Sequence, residues 1–363
     1  MAFNIRPWQA QPPRVFATYV HDLDPVIFQL TEKIALRWYG LAYLAAFVVA
    51  VLLLNHLAKR KLWVLPPGSA GDFIAAAAIF GVFIGGRLGY MLWYWPQEHG
   101  WSWVTDDPLA VFRVWEGGMA SHGGILGLVI FTWFYARKKK VSWTGLGDGL
   151  CVVAPLGLAF GRLANFINGE LYGRTAQGVA WAMKFPNSLR EQPDAEGRYL
   201  AAALEDEEKA VGYFDDRLAR LAEVNPDWAA NVRAFPLDYL GLRFDWMREA
   251  QYHNPAVSEA IGPFLEPRHP SQLYEAFLEG VLLFAILWIL RVRHPRLPNG
   301  ILTGVFFIGY AVFRIVGEQF REPDSKMVGP LTSGQFLSLF MILAGAAFIV
   351  VAMRRREGIS AES

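Results

Sequence analysis

Long apolar segments separated by shorter polar ones set the pattern of the chain. Seven of these segments approach or exceed the roughly 20 residues that a membrane-spanning helix needs. They lie at 34–57, 71–95, 117–136, 145–167, 272–291, 300–320 and 332–352. The pattern predicts an all-α polytopic membrane protein with seven transmembrane helices.

Basic residues cluster in the short loops at one end of these predicted spans. They follow spans one, three, five and seven, at 59–61, 137–140, 291–296 and 354–356. The short loops at the other end contain only a few basic residues, namely Arg113, Arg321 and Lys326. Because Lys and Arg accumulate in short cytoplasmic loops, we expect the N-terminus outside and the C-terminus in the cytoplasm.

One long segment interrupts the pattern of spans. Residues 168–268 contain acidic clusters, scattered aromatic residues and several prolines. Because about a hundred residues is long for a loop without structure of its own, we predict a mixed head domain on the periplasmic side. Within it, 196–222 has a helix-like pattern. The chain then divides into spans one to four with an N-terminal arm (1–167), the head domain (168–268), and spans five to seven with a cytoplasmic tail (269–363).

Composition agrees with a bilayer environment. Of 363 residues, 54% are hydrophobic and only 18% are charged, whereas soluble proteins are about a quarter charged. The 14 tryptophans suit membrane interfaces. A net charge of +1 gives no reason to expect a nucleic-acid partner. Cys151 is the only cysteine, so a disulfide within the chain is excluded and a small buried hydrophobe is the simplest interpretation. Residues 1–19 have no continuous apolar core, so we expect no cleavable signal peptide.

Three arginines inside predicted spans are the main indication of a functional site. Arg87, Arg162 and Arg314 lie in spans two, four and six. At 1.5 Å per residue, each is roughly 20–26 Å from the inner end of its span. Ionisable groups in spanning helices are costly and usually functional or paired. One such arginine could extend to the headgroups by itself, but three at similar depth favour a shared anion site.

Span six carries more polar residues along the same predicted face. Tyr310, Arg314 and Glu318 are spaced four residues apart, and Arg321 follows three later. On one helix, this spacing places all four on one side. The simpler alternative is an Arg–Glu pair within the helix that neutralises itself in lipid.

The predicted outer ends of other spans add candidate groups to this layer. His122 lies among the glycines of 117–124 and is a candidate for proton transfer, with structural hydrogen bonding as the alternative. His269 precedes Pro270, which suits a helix start. Tyr39 is placed near the outer end of span one, where an interface role is the alternative. Arginine matches phosphate oxygens bidentately, so the anion we expect is a lipid phosphate.

The polar motifs occur together and in order at 37–40, 85–90, 118–124, 161–174, 269–275 and 309–324. With them, essentially the whole chain resembles the bacterial prolipoprotein diacylglyceryl transferases. The resemblance implies a seven-helix enzyme of the bacterial plasma (inner) membrane whose active site faces the outer leaflet. It implies transfer of the diacylglyceryl group of phosphatidylglycerol to the lipobox cysteine in the signal peptide of a preprolipoprotein. A thioether forms and glycerol phosphate leaves, without a metal or another cofactor.

The resemblance also implies roles for individual residues. His122 corresponds to the family's essential histidine, a proposed base for the thiol. Arg162 and Arg314 correspond to arginines that hold the headgroup, and Arg87 is expected to share in this. Positions important for activity in the family match Tyr39, Asn165, Glu170, Gly173, Tyr310 and Glu318. Of these, Glu170 and Glu318 are expected to orient the arginines. The segment between Arg174 and His269 is longer than expected for the family's head domain.

Two other classes of function compete with the transferase. A membrane transporter of an anion or lipid would use the arginines as a relay, and it favours inverted repeats and broken helices. The only internal similarity is the short one between 85–90 and 160–165. A structural receptor for lipoproteins is the third class, and it predicts binding without release of glycerol phosphate.

Overall fold

The computed structural model describes residues 18–31, 35–101, 107–113, 117–190, 262, 265–322 and 331–355. The chain divides into two compact units. The loop unit contains Met1–Ala35, Asn165–Gln272 and Phe320–Asp324, and the helix unit contains the rest. Most of the predicted head domain, its helix at 196–222, and the basic residues Lys326 and Arg356 lie outside the described residues. The domain boundaries therefore stay a prediction.

Long helices make up most of the described residues. They are α1 (Trp38–Lys59), α2 (Ala70–Gln97), α3 (Ser121–Lys139), α4 (Trp143–Ile167), α5 (Ser271–Arg293), α6 (Ile301–Gly317) and α7 (Ser333–Arg355). Two short strands, β1 (Val26–Gln29) and β2 (Ala35–Arg37), precede α1, and single 3-10 turns occur at Pro108–Phe112 and Pro186–Arg190. Every predicted span coincides with one of these helices, with ends that differ by a few residues.

Five of the helices are long and apolar enough to cross a membrane, namely α1, α2, α4, α5 and α7. The apolar helix α6 is shorter, at 17 residues. Large apolar side chains on the helix surfaces are widely exposed, among them Leu52, Phe134 and Leu343, each more than 60% exposed. A surface this apolar suits lipid, because soluble proteins rarely expose large contiguous apolar areas.

Glycines bring α2 and α3 into backbone contact. A Cβ built on Gly85 would lie 2.6 Å from the carbonyl oxygen of Gly123, and one on Gly89 would lie 2.6 Å from the Cα of Gly123. One on Gly127 would lie 2.7 Å from the Cα of Gly85. Because no larger residue fits, these glycines allow the close approach typical of small residues at helix contacts in membranes. The first turn of α3 is thereby held against α2.

A buried carboxylate joins α4 to the start of α6. The Oδ2 of Asp148 accepts a hydrogen bond from the backbone N–H of Gly300 at 2.8 Å. Its Oδ1 accepts from both the N–H and the hydroxyl of Thr303, at 2.8 and 2.7 Å. Asp148, itself 1% exposed, therefore caps the first turn of α6 from a neighbouring helix. Next to this end, α6 crosses α7 where Gly304 faces Gly345.

Backbone hydrogen bonds between distant segments hold the loop unit together. The N–H of Gly173 donates to the carbonyl of His269, and that of Arg174 donates to Phe320, both at 2.8 Å. Further along, Met183 and Arg268 exchange two backbone hydrogen bonds. These bonds pair the residues that follow α4 with those that precede α5 and follow α6.

Candidate active site

Two arginines from different helices share one buried glutamate. Glu275 on α5 is fully buried, and its two oxygens each contact one guanidinium. The Nε of Arg162 on α4 lies 3.0 Å from its Oε2, and the Nη1 of Arg314 on α6 lies 3.0 Å from its Oε1. Both guanidiniums are largely buried, with 17% and 14% of their side chains exposed. Glu275 therefore fixes the distance between the two cationic groups.

Two further glutamates complete this group, which we call the arginine cluster (Arg162, Glu275, Glu279, Arg314 and Glu318). Glu318 lies 2.6 Å from the Nη2 of Arg314, one turn along the chain. Glu279 is more distant, at 3.5 Å from Arg162 and 3.7 Å from Arg314. Neither carboxylate oxygen of Glu279 has a hydrogen-bond partner among the described residues. Glu279 is thus held near both arginines without being bonded tightly to either.

Local backbone geometry brings these carboxylates to the arginines. Between Ala276 and Leu282, α5 is π-helical, a wider turn that frequently occurs at functional sites. Gly334 at the start of α7 lets that helix pass close to the pair formed by Glu318 and Arg314, since a Cβ there would lie 2.4 Å from Glu318 Oε1. Gly317 similarly faces Glu275. A larger residue at Gly334 would therefore displace Glu318, whereas a Cβ at Gly317 would make only ordinary contact with Glu275.

The cluster differs from the sequence predictions in two ways. Glu275 and Glu279 were missed as site residues, although two carboxylates four residues apart in an apolar span were the available signal. The prediction that the polar face of span six continues to Arg321 is wrong, because α6 ends at Gly317. Arg321 belongs to the loop unit, where it forms a backbone bridge with Gly173.

Both tyrosines predicted for the site lie in the helix unit. The ring of Tyr310 stacks on that of Phe306, and Tyr310 lies one turn before Arg314 on α6. Tyr39 is half-buried near the start of α1, with its ring 5.3 Å from that of Tyr43. Tyr310 is therefore on the same helix as Arg314 of the arginine cluster, whereas Tyr39 is on α1.

Arg87 has partners of a different kind from the other two arginines. Its guanidinium donates four hydrogen bonds to backbone carbonyls, two to Ala110 and Val111 and two to Gly117 and Gly118. The distances are 2.6–3.0 Å, and the side chain is 5% exposed. Four of the five N–H donors of an arginine are thereby used by the backbone. Arg87 holds the ends of the segment that leads into α3.

His122 lies directly after this segment, in the first turn of α3. Ala120, two residues before His122, donates its backbone N–H to the carbonyl of Gly86 on α2, at 2.9 Å. The side chain of His122 is exposed. Together, Arg87 and the Ala120 hydrogen bond hold the start of α3 in place, so the position of His122 depends on both.

In the loop unit, the residues after α4 form a tightly bonded turn. Asn165 donates its side-chain amide to Glu170 Oε1 at 2.8 Å, and the backbone N–H of Glu170 donates back to the carbonyl of Asn165. Gln272 donates to the carbonyl of Glu170 at 2.7 Å, and Ser271 donates to that of Leu171. Leu171 has a φ of 56°, which a non-glycine residue adopts only when its surroundings hold it there. These bonds provide that constraint.

Gly173 occupies a position where no side chain fits. A Cβ built on it would lie 2.4 Å from the carbonyl oxygen of Phe320 and 2.6 Å from that of His269. Nearby, Arg268 pairs with Glu322 at 2.9 Å and lies over the ring of Tyr172. Gly173 is therefore required by the close passage of three backbone segments.

The loop unit also contains two histidines of reduced basicity. His21 is 1% exposed and is packed between Phe166 and Phe185. Burial lowers the pKa of His21 from 6.5 to about 4, because an apolar environment disfavours the imidazolium form. The pKa of His269 is also lowered by desolvation. Among the described residues, no group of three His, Cys, Asp or Glu side chains is placed so that it could hold a metal ion.

Comparisons with known proteins agree on one family. A family model described as prolipoprotein diacylglyceryl transferase matches residues 25–351. Relatives named phosphatidylglycerol–prolipoprotein diacylglyceryl transferase occur in Bdellovibrio bacteriovorus, at 41% identity over 92% of this chain and 93% of the relative. Others occur in Escherichia fergusonii and Cronobacter sakazakii, each at 37% identity over 93% of this chain and 97% of the relative.

Proposed function

Because the chain belongs to the prolipoprotein diacylglyceryl transferase family, it transfers a diacylglyceryl group from phosphatidylglycerol to a prolipoprotein, and we propose that its arginine cluster binds the lipid phosphate. The observation that carries this proposal is the shared contact of Arg162 and Arg314 with Glu275, at 3.0 Å on each side. Two guanidiniums held at a fixed separation match the oxygens of one phosphodiester.

The ion pairs explain how cations are kept in an apolar surrounding before the lipid binds. Unpaired buried charges cost several kcal/mol, whereas paired ones are tolerated. Each guanidinium has five N–H donors, and its contacts with glutamates use only some of them. We propose that the loosely bonded Glu279 gives up its arginine contacts when the phosphate enters, while Glu275 and Glu318 keep the arginines in place.

The transfer step is a displacement at the glyceryl carbon that carries the phosphate. The lipobox thiolate forms a C–S bond, and the C–O bond to phosphate breaks with its electron pair on glycerol phosphate. Because a thiol of pKa about 8.5 is mostly protonated at neutral pH, a base accelerates the step. We assign that role to His122. Arg162 and Arg314 stabilise the charge on the departing phosphate, an electrostatic effect worth about 3–4 kcal/mol for a single hydrogen-bond donor in other enzymes.

The other predicted residues support this chemistry. Glu318 belongs to the cluster and Tyr310 lies one turn before Arg314 on α6, and we propose that Tyr39 contacts the substrate near the start of α1. For Asn165, Glu170 and Gly173, the hydrogen-bonded turn after α4 favours a role in shaping the loop against the substrate. For Arg87, the four carbonyl contacts favour a positioning role through the segment before His122.

We further propose that α3 and α6 cross the inner membrane with the other five helices. The basic ends of α1, α3, α5 and α7 then face the cytoplasm, in keeping with the distribution of Lys and Arg. Arg162 and Arg314 lie toward the opposite ends of α4 and α6, where lipids of the outer leaflet and the signal peptide of a preprolipoprotein are available.

The phosphate role is tested by transfer from phosphatidylglycerol to a lipobox peptide, with release of glycerol phosphate as the readout. We expect Arg162→Ala and Arg314→Lys to reduce turnover by at least about 100-fold, since 1.36 kcal/mol corresponds to tenfold. Arg354→Ala, at the far end of α7, is the matched control and keeps full activity. Near-normal turnover of both cluster variants in folded protein would exclude the proposal that Arg162 and Arg314 bind the lipid phosphate.

A separate experiment tests the base. If His122 accepts the thiol proton, the rate of His122→Asn recovers as the pH rises toward the thiol pKa, because the thiolate then forms without help. A deficit that is the same at every pH would mean that His122 positions the substrates, and it would exclude His122 as the base.

The comparisons give no support to the transporter alternative, which predicts lipid or anion flux in liposomes without any acceptor peptide.

A further inference from the structure

We propose that a groove at the basic end of the helix unit binds one anionic phospholipid, separately from the transfer site. The groove lies between the last turns of α3 and α7 and the first turn of α4, and has a volume of about 680 Å³. Small-molecule sites in proteins have volumes of about 300–1,000 Å³. The space is therefore sufficient for an ordered ligand.

Most of the groove wall is apolar and suits an acyl chain. It is lined by Trp133, Trp143, Ala344, Ala347, Phe348 and Val351. Trp143 is fixed by a hydrogen bond from its indole N–H to the hydroxyl of Thr132, at 3.1 Å. Small residues on α7 leave room where Trp133 and Phe348 form the sides. Tryptophans at this level are typical of the boundary between hydrocarbon and headgroups.

Positive charge is concentrated where the groove meets the helix ends. Arg137 and Arg355 both line it and are exposed, and Arg137 lies 4.4 Å from the centroid of a Trp133 ring. Among the described residues, neither arginine forms an ion pair with a carboxylate. The neighbouring basic residues are Lys138, Lys139, Lys140 and Arg354. The chemistry that complements this arrangement is a phosphate attached to an apolar tail.

A buried amide in the same wall points to the headgroup. Asn299 lines the groove and is 7% exposed, yet its Oδ1 has no hydrogen-bond partner among the described residues. An unsatisfied buried acceptor costs about 1–3 kcal/mol. A hydroxyl on the headgroup would donate to this amide after a small rotation of its side chain. The preferred ligand is therefore an anionic glycerophospholipid whose headgroup carries hydroxyls.

This groove is distinct from the arginine cluster. Trp143 and Arg162 are on the same helix, 19 residues apart, which corresponds to about 28 Å at 1.5 Å per residue. Groups that far apart cannot contact one headgroup. The bound lipid would instead brace α3 against α7 at the end where Asp148 caps α6.

Photoaffinity labelling tests the proposal directly. Purified full-length protein is reconstituted in phosphatidylcholine vesicles that contain a trace of phosphatidylglycerol with a photoreactive acyl chain. We expect adducts in the 344–351 segment at several times the yield obtained with a phosphatidylcholine probe of the same chains. Ala347→Trp, which fills the groove without changing charge, is expected to reduce these adducts several-fold.

Charge variants distinguish a specific site from general attraction. Arg137→Ala combined with Arg355→Ala is expected to lower labelling several-fold, whereas Lys138→Ala combined with Arg354→Ala, which removes the same charge beside the groove, leaves it within about 1.5-fold of wild type. Equal labelling by both probes, or equal losses in the two double variants, would each overturn the proposal.

Discussion

Replacing Glu275 with glutamine removes the negative charge that Arg162 and Arg314 share. Glutamine keeps the size of the side chain and one acceptor oxygen, but its NH₂ faces a guanidinium where the second oxygen was. Two contacts to charged groups at 3.0 Å are affected, and each is worth about 1.5–3 kcal/mol. Because one weaker hydrogen bond is retained, we expect the interaction free energy of Glu275 with the two arginines to fall by about 2–4 kcal/mol. This is close to the destabilisation of about 3–5 kcal/mol that follows when one partner of a buried ion pair is removed.

This loss of interaction free energy lowers both the stability of the protein and its kcat. Two assays measure the two effects separately. Arginines without a fixed separation no longer match the phosphate, so we expect kcat to fall by about 100-fold, or about 2.7 kcal/mol. The thermal midpoint of the purified protein should fall by several degrees. Initial rates of glycerol phosphate release, measured at saturating phosphatidylglycerol with a lipobox peptide, give kcat.

Glu279→Gln is the matched control because Glu279 has the same burial and lies one turn away on the same helix. Its contacts of 3.5 and 3.7 Å are weaker, so this variant should retain within about tenfold of wild-type kcat, a difference of about 1.4 kcal/mol. The reasoning is refuted if Glu275→Gln keeps more than a third of the activity, or if the two variants lose equal amounts.

Three further predictions concern residues outside this cluster. Gly173→Ala should lower the thermal midpoint through an overpacking cost of about 1–3 kcal/mol, whereas Gly161→Ala, where a Cβ meets nothing within 4 Å, should not. Arg87→Lys should reduce kcat while the KM for phosphatidylglycerol stays within about twofold, because Arg87 positions a segment; a large rise in KM would assign it to substrate binding. The pKa of His21 is about 4 when folded and 6.5 when unfolded. Unfolded protein therefore binds the proton first, and stability is lost as the pH falls from 6.5 to 4, by at most about 3 kcal/mol. His21→Phe should flatten the fall of the thermal midpoint between pH 7 and 4.5, and an unchanged slope would contradict this assignment.

Much of the fold can be predicted from the sequence because hydrophobicity is a local property. An apolar run of about 20 residues satisfies its backbone only as a helix in lipid, and each predicted span coincides with a helix of the structure. The ends differ where local chemistry intervenes. Span six was predicted to reach 320, but α6 ends at Gly317, and Phe320 pairs instead with Arg174 in the loop unit.

The candidate site was predicted in part, since buried charge in an apolar span is conspicuous. Arg162 and Arg314 were recognised in this way, and the structure joins them. Arg87 lies at a similar depth in its predicted span and therefore looked equivalent to Arg162 and Arg314, yet its guanidinium donates to backbone carbonyls. Depth along a helix gives no information about the direction in which a side chain points, so these cases could not be separated.

By itself, the sequence predicted which apolar segments form helices in the described part of the chain, showed which of their ends are basic, and indicated Arg162 and Arg314 as candidate site residues. Only the tertiary structure decided the partners: Glu275 between Arg162 and Arg314, and backbone carbonyls around Arg87. Gly173 is a second example. It belongs to the 161–174 motif, but the sequence gives no reason for a glycine at this position, whereas the structure shows three backbone segments meeting there. Pairing depends on the rotation and crossing of helices far apart in the chain, and those are set by packing between surfaces that no local pattern records.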